Sequence, residues 1–209
     1  MGTSLYSIAN HQIPFEAKSQ REIIDIILPR LNTMPLKNQE FLLDFALEWN
    51  HDRPDRLASI RTSTFWLPIV EDSHHYDFNT SEDKDKSMDF EGPYDLDLSF
   101  DDSKIWIHNP PYRYRQWFCL QNSDGTDATL HRNEWRKYMR QVAYIFGGNR
   151  VIYLADNAHP LDKYISSDYS FEEIEQELKK EFGEPARAFS EVCANEKTTY
   201  FIDFFDDLD

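Results

Sequence analysis

Tyr94-Asp95-Leu96-Asp97-Leu98-Ser99-Phe100, followed after three polar residues by Lys104-Ile105-Trp106-Ile107-His108, decides the fold class. Successive side chains of a strand point to opposite faces, so a period of two means one apolar and one polar side. In the first run Leu96, Leu98 and Phe100 alternate with Asp95, Asp97 and Ser99. In the second, Ile105 and Ile107 share a face. Asp101-Asp102 between them is turn chemistry, because short acidic side chains bond their own backbone. Arg113–Gln121 supplies a third strand, and the three read as an antiparallel meander.

Outward from this meander the pattern changes. Ser63–Val70 reads as a strand that Pro68 places at an edge or a bend. Residues 71–93 read as a long acidic loop ending at Gly92-Pro93. Leu5–Phe15 reads as a strand or extended arm. Ser19-Gln20-Arg21-Glu22 has capping-box form, in which a hydroxyl and a carboxylate satisfy the first free N–H groups of a helix. Ile23, Ile24, Ile27, Leu28 and Leu31 then recur at helical spacing, with Pro29 as a break or kink. A second helix is expected after Pro35, with Phe41, Leu42, Phe45, Ala46 and Trp49 as its stripe. The two form a predicted helical hairpin.

Beyond the meander, a helix is expected over Asn133–Phe146, with Trp135, Met139, Val142 and Phe146 inward and Gly147-Gly148 ending it. Val151–Ala155 reads as a central strand. Ser170-Phe171-Glu172-Glu173 is a second capping-box sequence, opening a helix with Phe171, Ile174, Leu178 and Phe182 on its apolar side. Thr198–Phe205 reads as the last strand. The expected fold is therefore a single α+β domain over residues 1–209. It has a mainly antiparallel sheet, the N-terminal helical hairpin and two further helices packed on the sheet.

Apolar residues make up 40% of the 209 and aromatics 15%, too many anchors for a disordered acidic chain. Cys119 and Cys193 are too few and too far apart for a disulfide framework, so both read as buried thiols. The first residues lack a basic stretch followed by an apolar one, and no apolar run approaches the ~20 residues that span a bilayer. Both observations lead to a cytoplasmic expectation.

The net charge of -16 is unevenly placed. Residues 71–102 carry -10 and residues 151–209 another -10, while residues 103–150 carry +5. Such a chain repels phosphate backbones and anionic lipid surfaces, and it favours a basic protein partner. Arg132, Arg136 and Arg140 form a ridge at i, i+4, i+8, read here as internal compensation for neighbouring acids.

No catalytic pattern stands out. His74-His75 would point opposite ways on a strand, and His131 with Glu134 lacks the rest of a zinc-binding helix pattern. No nucleophile elbow and no phosphate-binding glycine loop occurs. The reading therefore assigns no catalytic residue, no metal and no cofactor. Twelve acids between 71 and 102 are interleaved with Tyr76, Phe78, Phe90, Tyr94 and Phe100, which is the mixture of charge and anchor found at interfaces.

In size, acidity and lack of catalytic motifs, the chain resembles the immunity proteins of bacterial toxin–immunity systems. The resemblance implies occlusion of a cognate basic toxin domain. The acids expected to carry it are Asp72, Asp77, Asp83, Asp85, Asp89 and Asp95, with Tyr76, Phe78 and Tyr94 as anchors. The C-terminal acids form a second candidate surface. A general interaction or structural module is the alternative expectation, and an enzyme with a carboxylate/His site the third.

Overall fold

The computed structural model describes residues 5–14, 20–31, 33, 45–49, 58–65, 76–77, 87–88, 94–100, 103–108, 129–155, 164, 169–194 and 199–207. Its strands are β1 (Leu5–Asn10), β2 (Phe45–Trp49), β3 (Ala58–Phe65), β4 (Tyr76–Asp77), β5 (Ser87–Met88), β6 (Tyr94–Phe100), β7 (Lys104–His108), β8 (Arg150–Ala155) and β9 (Phe201–Phe204). Its helices are α1 (Gln20–Leu31), α2 (Thr129–Ile145), α3 (Phe171–Phe182) and α4 (Phe189–Ala194). The fold is α+β, and every pairing between the described strands is antiparallel.

Seven strands make one sheet in the order β2-β3-β6-β7-β1-β8-β9. The expected hairpin of β6 with β7 is present, with Leu98 opposite Ile107 and Phe100 opposite Ile105. The third meander strand, Arg113–Gln121, lies outside the described residues. β1 occupies the place beside β7, with Ile8 opposite Trp106, and pairs on its other side with β8, Ile8 opposite Ile152. The N-terminal strand thus joins a four-stranded half to a two-stranded half.

Strand parity sorts the core into two layers. Ile8, Trp106, Ile152, Leu154 and Ile202 share one face and pack with Phe171, Ile174 and Leu178 of α3. Burying each such side chain contributes roughly 1.5–3 kcal/mol. The opposite face carries Ala9, Phe100, Ile105, Val151 and Tyr153, all wholly buried. Met139, Val142 and Ala143 of α2, with Phe146 just after it, cover it, and Phe146 lies edge-on to Phe100 at 5.1 Å. The covering on both sides explains why Val151–Ala155 has no charged residue and is wholly buried.

The covered α3 face also holds Lys104, 1% exposed. Its ammonium donates to the Tyr169 carbonyl and lies 4.7 Å from the centre of the Trp106 ring, so burial of the charge is offset by two favourable contacts.

Local signals fix several element ends. Ser170 accepts from the Glu173 N–H, and the Glu173 carboxylate accepts from the Ser170 N–H, a complete capping box. Gly147 adopts φ +81°, open chiefly to glycine, where α2 turns into β8. Gly148 answers a different need. A Cβ there would stand 1.9 Å from the Asn10 carbonyl oxygen. The Asn10 side chain in turn accepts from the N–H groups of Asn149 and Arg150, both at 2.9 Å. This contact ties the end of β1 to the start of β8.

The helical hairpin is corrected in part. α1 forms as expected and carries Pro29 in its last turn, two residues before its end. The end of the second expected helix, Phe45–Trp49, is instead β2, paired with β3 from Phe45–Thr62 to Trp49–Ala58. Phe45, Leu47 and Trp49 also satisfy a period of two, and the neighbouring strand selects it over the helical period. Residues 34–44 lie outside the described set. The strand expected at Ser63–Val70 begins earlier, at Ala58, and residues 66–70 are not described. Within the segment expected to be a long loop, β4 and β5 form a separate two-stranded ladder, Tyr76 opposite Met88 and Asp77 opposite Ser87.

Candidate functional site

α2, α4 and β9 meet at a cleft of ≈ 280 Å³. It is lined by Asn133 and Arg136 of α2, Arg187 and Ala188 just before α4, Phe189 and Ser190 within it, and Phe201 of β9. The periodicity of α2 sets its apolar residues on the sheet and leaves Arg136 at the border of that face. Arg136 therefore reaches across to β9. Its Nε donates to Asp203 Oδ2 and its Nη2 to Asp203 Oδ1, both at 2.9 Å. The guanidinium lies 4.9 Å from the centre of the Phe201 ring and 5.9 Å from that of Phe189. Two bonds and two rings hold it in one orientation. Asp203 is buried, with its side chain 7% exposed, so this is a desolvated carboxylate and not a solvated surface pair.

Beneath the cleft, Tyr153 packs on Phe189 at 4.9 Å and on Phe201 at 6.2 Å. Its hydroxyl is buried without a hydrogen-bond partner among the described residues. Burial, reinforced by the negative charge of Asp203, pushes the phenol well above its ordinary value of 10.0, while Arg136 and Arg140 pull the other way. The hydroxyl therefore keeps its proton further into the alkaline range than an exposed tyrosine does. Arg140, one turn after Arg136, lies 5.0 Å from the Phe205 ring centre and donates to the Asp207 carbonyl.

A second ionic cluster links β8 to α3. Arg150 Nη1 donates to Glu175 and Nη2 to Glu172, each at 2.6 Å, with the guanidinium 4.8 Å from the Phe171 ring centre. Further along α3, Glu177 meets Lys180 at 3.1 Å, Glu181 accepts from the Tyr164 hydroxyl at 2.8 Å, and Lys179 meets Glu184 at 2.8 Å. The acids of α3, part of the second candidate surface, thus have partners within the chain. Of the three ridge arginines, Arg136 pairs with the Asp203 carboxylate, as the compensation reading expects, while Arg140 reaches the Asp207 backbone carbonyl.

Of the nine residues expected at an interface, four fall among the described ones. Tyr76 and Asp77 form β4, and Tyr94 and Asp95 open β6. Asp72, Phe78, Asp83, Asp85 and Asp89 lie outside. Tyr94 stands opposite Phe65 on β3, and Asp95 has the same strand parity as Asp97 and Ser99, the latter opposite Trp106. The ladder of β4 with β5 is separate from the sheet that holds β6, so these four residues belong to two sheets.

The cleft went unnoticed in the sequence because its walls come from positions up to 68 apart, Asn133 to Phe201. The one available signal was the arginine ridge beside a chain end rich in Phe and Asp. Among the described residues, no three His, Cys, Asp or Glu side chains stand close enough to hold a metal ion, and no helix is long and apolar enough to cross a membrane. No family model, curated protein or solved structure matches this chain.

Proposed function

We propose that this chain is an acidic binding protein that neutralises a basic protein partner, in the manner of an immunity protein occluding a cognate toxin domain. One observation carries the reading. The ionic groups of the C-terminal half compensate one another locally, Arg136 with Asp203, Arg150 with Glu172 and Glu175, and Lys179 with Glu184. Two of the eight bases of residues 103–150, Arg136 and Arg150, are thereby drawn into ion pairs within the fold, which supports a protein partner over nucleic acid. Residues 71–102, with twelve acids to two bases, have little means of compensating themselves within the segment and would supply the charge for a basic partner. Within that segment Tyr76, Tyr94 and Phe78 are the anchors, and Asp72, Asp77, Asp83, Asp85, Asp89 and Asp95 supply attraction and speed of encounter.

The test is affinity capture from the native host with the full chain at low and at high salt. A captured protein of basic isoelectric point, released as salt rises, is the expected result. Its activity should fall when the chain is added back. Capture of nothing, or of a partner indifferent to salt, sinks the proposal. Charge reversal at Asp83, Asp85 and Asp89 together should slow association more than it speeds dissociation.

A further inference from the structure

The cleft between α2, α4 and β9 presents hydrogen-bond donors that the fold itself leaves unused. The fork of Arg136, made by Nε and Nη2, is closed by Asp203. Nothing among the described residues accepts from its remaining nitrogen, Nη1. Arg187 is exposed and has no ion pair among the described residues, which is unusual where acids exceed bases so heavily. Asn133 and Ser190, each with a polar side chain able to donate, line the same space. The nearby carboxylates are engaged: Asp203 holds Arg136, and Glu191 accepts from the Ala188 N–H at 2.9 Å. The rings of Phe189 and Phe201 add an apolar wall.

From this geometry we infer that the cleft binds the phosphate group of a small organic phosphate, with Arg136 Nη1, Arg187, Asn133 and Ser190 as donors and the two rings against the organic part. A planar carboxylate is best matched by a guanidinium fork, and the fork of Arg136 is already filled by one. The donors that remain approach from different elements around a concavity. A tetrahedral group with three terminal oxygens can accept from several such directions at once. Because Asp203 and the rings fix Arg136 beforehand, binding does not have to order that side chain. Arg187 supplies the charge that no carboxylate in the cleft offsets. The overall charge of -16 opposes any anion, so affinity is modest, with Kd for inorganic phosphate on the order of 1 mM.

The experiment is an amide-resolved NMR titration of the full chain at constant ionic strength with inorganic phosphate, phenyl phosphate, benzoate and chloride. Saturable shifts at Phe189, Ser190 and Phe201 with inorganic phosphate, tightening with phenyl phosphate, are expected. Arg187→Gln, at an exposed residue with no hydrogen bond or ion pair among the described residues, should weaken phenyl phosphate roughly tenfold. Absence of saturable shifts overturns the inference, as does a full-affinity response in the folded Arg187→Gln variant. Benzoate binding as tightly as phenyl phosphate would overturn the assignment to phosphate.

Discussion

Arg136 and Asp203 are 67 residues apart in the chain and share two hydrogen bonds of 2.9 Å beneath a roof of two phenyl rings. The pair pins α2 to β9, the outermost strand at its end of the sheet. Removing the carboxylate leaves a guanidinium that is largely buried, its side chain 28% exposed, with no counter-charge. Asp203→Ala should therefore cost about 3 kcal/mol in urea unfolding. Arg136→Met should cost at least as much, because it strands Asp203, the more deeply buried partner with its side chain 7% exposed. The double variant Arg136→Met with Asp203→Leu should recover much of the loss. Additive losses in the double variant would show that the two residues act independently.

The close approach of Gly148 to Asn10 makes a sharper test of the sheet's central junction. The atom a Cβ would strike is backbone, so it cannot swing aside as a long side chain would. Gly148→Ala should destabilise by about 3 kcal/mol, near the top of the range for overpacking. Gly183→Ala separates this effect from glycine conformation alone. Gly183 has φ +84° and ψ -154°, a backbone region all but reserved for glycine, with open space around it, so its cost of about 2 kcal/mol is conformational alone. Equal costs for the two substitutions would remove the steric account of Gly148.

Ser170 caps α3, and its replacement by Ala should cost about 1 kcal/mol in thermal or urea unfolding. The same substitution has a titration signature. The Ser170 backbone N–H, and then its hydroxyl, hold the Glu173 carboxyl below its ordinary value of 4.5. A lowered folded-state pKa contributes stability above 4.5 that is lost as pH falls through the lowered value. Ser170→Ala should move the Glu173 titration, followed by NMR, back towards 4.5 and flatten that part of the acid limb.

At the alkaline end the sign reverses. Burial, and then the charges of Glu184 and Glu175, raise Tyr200 from 10.0 to about 12, and its hydroxyl donates to the Gly183 carbonyl at 2.9 Å. The unfolded chain loses this proton near pH 10 and the folded chain near pH 12. Stability present below pH 10 therefore declines across that window, with Tyr153 acting in the same sense. Difference spectroscopy should show a late, cooperative class of tyrosinate coincident with unfolding. Tyr200→Phe should make the decline shallower over the same range.

These sites differ in how far the sequence announces them. The capping box at Ser170 and Glu173 was legible because both partners sit within one turn. The meander hairpin was legible because Leu98 and Phe100 need only their immediate neighbours to define a face. Phe45–Trp49 misled because Phe-Ala-Leu-Glu-Trp satisfies both periods, and the choice rests with β3, nine residues further on at its nearest. The partnership of Arg136 with Asp203 was legible only as a tendency. A ridge of arginines beside acidic blocks calls for compensation, but which acid is chosen depends on a sheet order that places β9 beside β8. The cleft follows from that same order. No local pattern links Asn133, Arg187 and Phe201.

The position of β1 has a consequence for how the molecule comes into being. Of the strands in the main sheet it is the first to leave the ribosome. Its partners, β7 and β8, start about a hundred and about 145 residues later. At ~5–20 residues per second, the nascent strand waits on the order of ten seconds for β8. During that interval Ile8 and Ala9, wholly buried in the finished protein, have only transient neighbours. The sheet closes by accepting a strand between two others, and such long-range pairing is slow because a large loop must be ordered first. A chaperone that shields the first ten residues during synthesis should raise the yield of folded protein more than one that acts on the released chain.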